Sequence, residues 1–554
     1  MTSLQRIIAA LLSVLLFGAL VMHLRPRAVD LTILAINDFH GNLQPPAGGI
    51  NVLDPKDRSK HIAVAAGGAE HLATAVQQLR AQKANSIFVA AGDLIGASPL
   101  LSALFNDEPT VEALSMMGLA VSAVGNHEFD DGKDELLRMQ NGGCHPLKGC
   151  KGPKPFTGAK FKYLAASTVV NDTGKTLLPA YEVREFGGVK VAFIGLTLKG
   201  TPGVVTPSGV AGLTFRDEAE TVNALVPELR AKGIEAIVLL IHEGGFPAGD
   251  YNECPGISGP IVEIVNKLDK AVDLVISGHT HKAYNCTING RLVTSGDKFG
   301  TIVTEINVKL DAKTRDFISA KADNHIVRVE TYAKAPEQTA LIESYDKLAR
   351  PLAERVVGSL TQTLSRAEGP NGESALGQVV ADAQLAATQA PDAGGAQFAI
   401  TNTGGIRTDI LKRGDGVVNF GDIFAAQPFG NNLVTATITG AQIKTLLEQQ
   451  WLNQPKPRIL QVSKGFSYTW DDKRPKGDYV PVDSIRLNGV KIDPAASYRL
   501  TANAFLMDGG DGFLVLKDAK DHKGGPPEVQ ALEAWFKAHS PITPGPLDRI
   551  TRAE

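Results

Sequence analysis

Positive charge is not in excess in this 554-residue chain: 56 Lys and Arg stand against 59 Asp and Glu, for a formal net charge of -3. A protein that holds DNA or RNA by its phosphates ordinarily shows a basic excess or stripe. No such Lys/Arg run occurs, so polymeric nucleic acid is not an expected partner. Cysteine is scarce too, and none of the four stands in a C-x-x-C spacing, which argues against a zinc cluster. Long apolar runs are missing except for Ile7 to Met22, broken by Ser13 and Gly18 and preceded by Arg6. That run is short for a span of about 20 residues and fits the apolar stretch of a secretory signal. No A-x-A site follows, and Arg25 and Arg27 lie just downstream, so an uncleaved anchor is the alternative for residues 1–29. Either reading sends the remainder to the periplasm or the cell exterior, with membrane contact only through such an anchor. The polar end from Asp548 to Glu554 lacks a hydrophobic lipid-anchor tail.

What is present reads as ordinary globular protein, 43% hydrophobic and 21% charged, in a chain too long for one core. Four cysteines in an exported chain favour disulfides; of three pairings, Cys144 with Cys150 and Cys254 with Cys286 is preferred. From residue 30 to 335, short apolar or β-branched runs end abruptly in polar clusters. The runs are Leu31 to Ile36, Ser86 to Ala91, Val121 to Val124, Val191 to Leu196, Ala236 to Ile241 and Asp273 to Ile276. A helix over Gly68 to Gln82 fits between the first two, and the rhythm is that of a layered α/β domain. Residues 336–357, with Leu341, Ile342, Tyr345, Leu348 and Leu352, read as a helical linker. A second α/β domain over 358–554 follows, with apolar runs at Gln397 to Ile400 and Leu433 to Ile438.

The polar clusters carry the chemistry: Asn37-Asp38-Phe39-His40, Gly92-Asp93, Gly125-Asn126-His127-Glu128, His242-Glu243 and Gly278-His279-Thr280-His281. Functional groups gather beyond the carboxyl ends of strands in open α/β sheets, so the five clusters are expected to converge. Carboxylate oxygen and imidazole nitrogen suit zinc, manganese or a similar divalent ion, and a carboxylate can bridge two. These blocks, in this order, resemble the signature of the calcineurin-like metallophosphoesterases. The stretches Asn37-Asp38-Phe39-His40-Gly41-Asn42 and Gly125-Asn126-His127-Glu128-Phe129-Asp130 are similar to the 5'-nucleotidase and UDP-sugar hydrolase branch. The resemblance implies an N-terminal β-sandwich flanked by helices and two divalent ions. One ion would be held by Asp38, His40 and His281 and the other by Asn126, His242 and His279, with Asp93 bridging. It also implies a catalytic His127 oriented by Asp130, and it gives Glu128 no role.

In the second domain, Asn402-Thr403-Gly404-Gly405-Ile406-Arg407, Gln427-Pro428-Phe429-Gly430-Asn431 and Phe505 to Phe513 resemble that family's substrate domain. The implied roles are Phe429 and Phe505 stacking on a base, Asp511 accepting from ribose hydroxyls, and Arg407 reaching phosphate. Asn402 and Asn431 would bond to the base or nearby groups. Some relatives use a further arginine within the segment corresponding to Ser374 to Gln378, where this chain has none. The expectation is an exported two-metal 5'-nucleotidase acting on a small nucleotide. The alternatives are UDP-sugar hydrolysis, 2',3'-cyclic phosphodiesterase activity, or a nucleotide-binding surface module without turnover. Oligomeric state is not readable.

Overall fold

The computed structural model describes residues 28–452, 454 and 456–553. The signal-or-anchor reading lies outside the described residues, except that Ala28 and Val29 already belong to the first strand. Among the described residues no helix is long and apolar enough to cross a membrane.

Two six-stranded sheets face each other. The first runs Phe317–Ile326, Ile302–Asp311, Ala28–Ile36, Ser86–Ala90, Leu119–Ala123, Lys162–Leu164; the second runs Ala283–Ile288, Arg291–Gly296, Leu274–Ser277, Ala236–His242, Val189–Thr197, Tyr181–Phe186. Their central strands are parallel, with antiparallel strands at one side of the first sheet and at both sides of the second. Strand side chains alternate faces, so each run feeds two cores. Leu31, Ile33 and Ala35 meet Val191, Phe193, Val238 and Leu240 between the sheets. Leu34 and Ile36 turn outward to the helices Ala69–Arg80 and Glu108–Met116. On the far side Ile194, Ile237 and Leu239 pack under the helices Glu218–Ala231 and Pro260–Lys267. At about 1.5 to 3 kcal/mol for each large aliphatic side chain buried, burial on both faces selects apolar residues at every position of these strands. The sheets approach closely at Gly195, where a Cβ would lie 2.4 Å from that of Leu164.

The helix Pro336–Ala353 is amphipathic, and it buries Leu341, Ile342 and Tyr345 in the first domain's helical core while Leu348 stays exposed. Leu352 packs instead on an apolar cluster of the second domain. That domain has a five-stranded sheet, Gln461–Val462, Phe398–Thr401, Ser497–Asn503, Asn432–Thr439, Lys520–Pro527, with the helices Ala375–Thr388 and Glu528–His539 packed together beside it.

Both expected cystine bridges are present, Cys144 to Cys150 and Cys254 to Cys286. They close sequence separations of 6 and 32 residues. Loop entropy then gives about 2 kcal/mol for the first and about 4 kcal/mol for the second. Replacing Cys254 and Cys286 together by Ser should therefore lower the unfolding free energy more than replacing Cys144 and Cys150. Denaturant titration of the two double variants reads the order, and mass mapping without reduction checks the pairing.

Candidate active site

Three of the four parallel strands of the first sheet end at Asp38 and His40, at Asp93, and at Asn126 and His127; two strands of the second end at His242 and at His279 and His281. The chain turns hard at these ends. Asp38, His40, Asp93, His279 and His281 all have left-handed backbone, with φ of 51°, 46°, 50°, 69° and 52°. Such conformations cost roughly 1 to 3 kcal/mol each outside glycine and persist where the surroundings hold them. Here the holders are backbone bonds, Asp38 N to Gly92 O at 3.0 Å and His40 N to Asp93 O at 3.0 Å, and His279 N donating to Asp38 Oδ2 at 2.9 Å. Glycine is obligatory at Gly125, where a Cβ would sit 2.1 Å from Asp93 Oδ1.

Donor atoms of Asp38, His40 and His281 lie within 4.8 Å of one another, as do those of Asp93, His242 and His279, and of His40, Asp93 and His127. His40 Nε2 and His281 Nε2 face each other at 3.1 Å, and each lies near Asp38 Oδ1, at 3.8 and 3.3 Å. His242 Nε2 is 2.9 Å from Asp93 Oδ2 but is not aligned for a hydrogen bond, and the buried Asn126 Oδ1 has no partner at all. Buried polar atoms are rarely left unpaired. The set fits two divalent ions: every donor is oxygen or imidazole nitrogen, and Asp93 stands between the two groups. The second imidazole nitrogens of His40 and His242 are tied to Gly96 O and Ala91 O at 2.9 and 2.8 Å, which fixes the rings.

The electrostatics agree. Burial, opposed by Asp93, holds His40 well below the usual histidine range; burial and then Lys298 and Arg407 do the same to His281; burial and then His242 lower His279 to about 4. Those three rings are neutral, the form that ligates metal. Burial would lower His242, but Asp93, Asp38 and the Ala91 carbonyl together push it up to about 10. His127 lies beside the group with Nδ1 2.8 Å from Asp130 Oδ2; burial would lower it, but Asp130 and Asp93 raise it.

One pocket joins the two domains. Asn126, His127, Asp130 and His279 line one side, and Asn402, Arg407, Phe429, Asn431, Phe505 and Asp511 the other. Phe429 stacks on His127 at 5.7 Å and 23°, and the Arg407 guanidinium lies 5.7 Å from the Phe429 ring centre. Asp511 is held by Asn402 Nδ2 at 2.7 Å and by Arg458. Asn431 Nδ2 donates to Glu528 Oε1 at 3.1 Å, which leaves its Oδ1 free for the pocket.

Residues 31–283 match the calcineurin-like phosphoesterase family, and residues 356–518 match the C-terminal domain of 5'-nucleotidase. The chain is 34% identical over 531 residues to Endonuclease YhcR of Bacillus subtilis, covering 95% of itself and 41% of that protein. It is 32% identical over 540 residues to Cell wall protein Lmo0130 of Listeria monocytogenes, covering 92% of itself and 67% of the relative. The chain belongs to the 5'-nucleotidase family. A solved 5'-nucleotidase precursor from Thermus thermophilus superposes with a TM-score of 0.77 at 26% identity, covering 94% of this chain and 99% of that one. Membership makes the protein a metallophosphoesterase and implies a dinuclear metal site, for which candidate His and Asp groups are present.

Around this 5'-nucleotidase-family site Glu128, which the sequence reading leaves as structural, is structural in the fold, and several other residues are not named from the sequence. Glu128 is buried and accepts from the backbone N–H of Asp93, Leu94 and Gly125 at 3.0, 2.7 and 2.6 Å, so it pins the Asp93 turn to the Asn126 turn. Its adjacency to His127 was the one available signal. Arg458, Asn503 and Val204 to Thr206 also line the pocket. Glu528, buried at the start of the last helix, accepts from Asn431 and from Asn503 Nδ2 at 3.3 Å.

Asp93→Asn should lower metal content, read by elemental analysis, and cut activity by more than the 10- to 100-fold typical of changes around metal ligands. His127→Ala should keep its metal and lose about 100-fold or more in kcat. Loss of metal in that variant would put His127 in the ligand set. Burial raises Glu528 from 4.5 to about 7. The folded protein thus binds the extra proton: this group's stabilisation is full below about pH 4.5 and is lost as pH rises through about 7. Relative to Glu528→Gln, wild type should lose on the order of 3 kcal/mol across that interval, measured by denaturant midpoints at each pH.

Proposed function

We propose that the chain is an exported two-metal 5'-nucleotidase that hydrolyses nucleoside 5'-phosphates to nucleoside and phosphate. The observation that carries this reading is the pocket in which His127, Asp130 and two of the candidate metal ligands, Asn126 and His279, face Phe429, Phe505, Arg407 and Asp511. Asp38, His40 and His281 would hold one ion, Asn126, His242 and His279 the other, and Asp93 both. Zinc, manganese or a similar ion would supply Lewis-acid charge and water acidified to near neutrality.

The residues do the positioning. Phe429 and Phe505 offer aromatic faces to a base, each stacking contact being worth about 1 to 3 kcal/mol. Asp511, immobilised by Asn402 and Arg458, accepts from ribose hydroxyls, while Asn431 Oδ1 accepts from the base. Arg407 grips phosphate oxygens with its guanidinium fork. His127, lowered by burial but raised more by Asp130 and Asp93, favours its protonated form and can hold a proton beside the phosphoryl group. Two disulfides and a relative named a cell wall protein support export. Low net charge does not exclude nucleic acid, since another relative is named an endonuclease, so the mononucleotide is our reading of a phosphate-ester substrate.

Phosphate release from AMP by the manganese- or zinc-loaded protein separates turnover from mere binding. Phe429→Ala and Phe505→Ala should each lower kcat/KM for AMP by about 10-fold or more, the equivalent of one lost stack, while p-nitrophenyl phosphate changes far less. Equal losses on both substrates would sink the clamp assignment.

A further inference from the structure

The two pocket phenylalanines are carried by segments that leave neighbouring strands. Phe429 sits in the turn from Gln427 to Asn431, just before the strand Asn432–Thr439, and Phe505 in the short helix Ala504–Met507, just after the strand Ser497–Asn503. The last pair of the ladder between those strands is Leu433 with Asn503. Past that pair one carboxylate takes over the connection. Glu528, fully buried at the start of the helix Glu528–His539, accepts from Asn431 Nδ2 at 3.1 Å, from Asn503 Nδ2 at 3.3 Å and from Gln427 Nε2 at 3.4 Å. Its own N–H donates to Asn431 O at 2.9 Å. Asn503 in turn caps the Phe505 helix, its Oδ1 accepting from Leu506 N at 2.9 Å.

Three side-chain amides from both segments thus converge on one buried group. A carboxylate without water keeps its donors, because withdrawing any of them leaves charge or lone pairs bare. Gln427 shows how firmly the arrangement is held: its Oε1 is buried with no partner, so the amide serves Glu528 alone at the cost of its own oxygen. Each phenylalanine is also backed by a neighbour. Phe429 stacks on His127, and the Phe505 ring rests against Gly510, where a Cβ would lie 2.5 Å from it. We propose that Glu528 is a positioning residue for the base, its carboxylate fixing the backbone beside Phe429 and Phe505 and with it the gap between the two rings. A binding surface of this kind must be held to within roughly 0.5 Å of its productive geometry. The inference rests on the reading of these two rings as a base clamp.

The test compares kcat/KM for AMP with that for p-nitrophenyl phosphate, which has no base, in the full-length, metal-loaded protein. Glu528→Gln keeps the shape and the backbone bond to Asn431 but sets an amide against amide donors. The ratio of AMP to p-nitrophenyl phosphate should fall about 10-fold or more, through KM. In a Phe429→Ala background the same substitution should lower the ratio by less than about 2-fold, because one wall of the clamp is already gone. A merely structural role would lower both substrates together, or by the same factor in both backgrounds, and either result overturns the proposal. Gln427→Met removes a single tie and leaves the carboxylate in place; it should lower the ratio several-fold and stands in if Glu528→Gln does not fold. Adenosine, as a competitive inhibitor of p-nitrophenyl phosphate hydrolysis, repeats the comparison without nucleotide turnover. If AMP is not cleaved but adenosine inhibits and Glu528→Gln weakens it about 10-fold, the 5'-nucleotidase reading fails and the anchor stands. If adenosine inhibits both proteins alike the anchor fails, and if it inhibits neither both readings fail.

Discussion

Asp93 is the point at which the two sheets are joined electrically. Its carboxylate lies 2.9 Å from His242 Nε2 of the second sheet and 3.6 Å from His40 Nε2 of the first, and it accepts from His127 N at 2.8 Å. Burial would raise it, yet His242, His127 and His40 hold it well below the usual carboxylate range. A buried anion is tolerated only with charge and donors around it, so each surrounding group has little freedom to move. The left-handed turns, the glycine at Gly125 and the buried Glu128 follow from that demand. They bring five strand ends within a few ångströms of one carboxylate.

Such crowding needs a stiff frame. The two sheets interdigitate through Val191, Phe193, Val238 and Leu240 against Leu31, Ile33 and Ala35, close-packed as protein interiors are, so the strand ends cannot drift independently. The second domain meets the same requirement with hydrogen bonds. Arg458 and Asn402 fix Asp511; Asn503 links Asn402 to Glu528; Glu528 fixes Asn431. Every member of that chain borders the pocket or supports one that does. Its side chains are oriented before a substrate arrives, which is what preorganisation of a binding surface means physically.

The legible parts of the molecule were those whose physics is local in sequence. Central strands such as Ala236–His242 read as continuous apolar runs because both faces are buried, and each run ended in the polar cluster that the fold needs there. Strands Ile302–Asp311 and Phe317–Ile326 went unread: one face of each is open to solvent, so charged residues interrupt the pattern. The helix Pro336–Ala353 was legible as a helix, but nothing in its spacing tells that Tyr345 is buried in the first domain's core while Leu352 packs on the second. Single-block residues such as His279 and Phe429 could be named from their neighbours. The Arg458–Asp511 pair and the Glu528–Asn431 bond join residues 53 and 97 positions apart, and only the folded chain creates them.

Charge teaches the same distinction between whole and part. A net value of -3 over the whole chain says little about the potential inside a cleft, because low-dielectric walls confine the field of the groups that line it. Here Lys282, Lys298, Arg366 and Arg407 share one cavity with Asp250, Asp297 and Asp409. Other acids and bases pair on the open surface, as Lys60 does with Asp57, and contribute little. A nearly neutral protein can therefore gather both signs of charge beside its candidate metal centre, where they act far more strongly than the same groups in water.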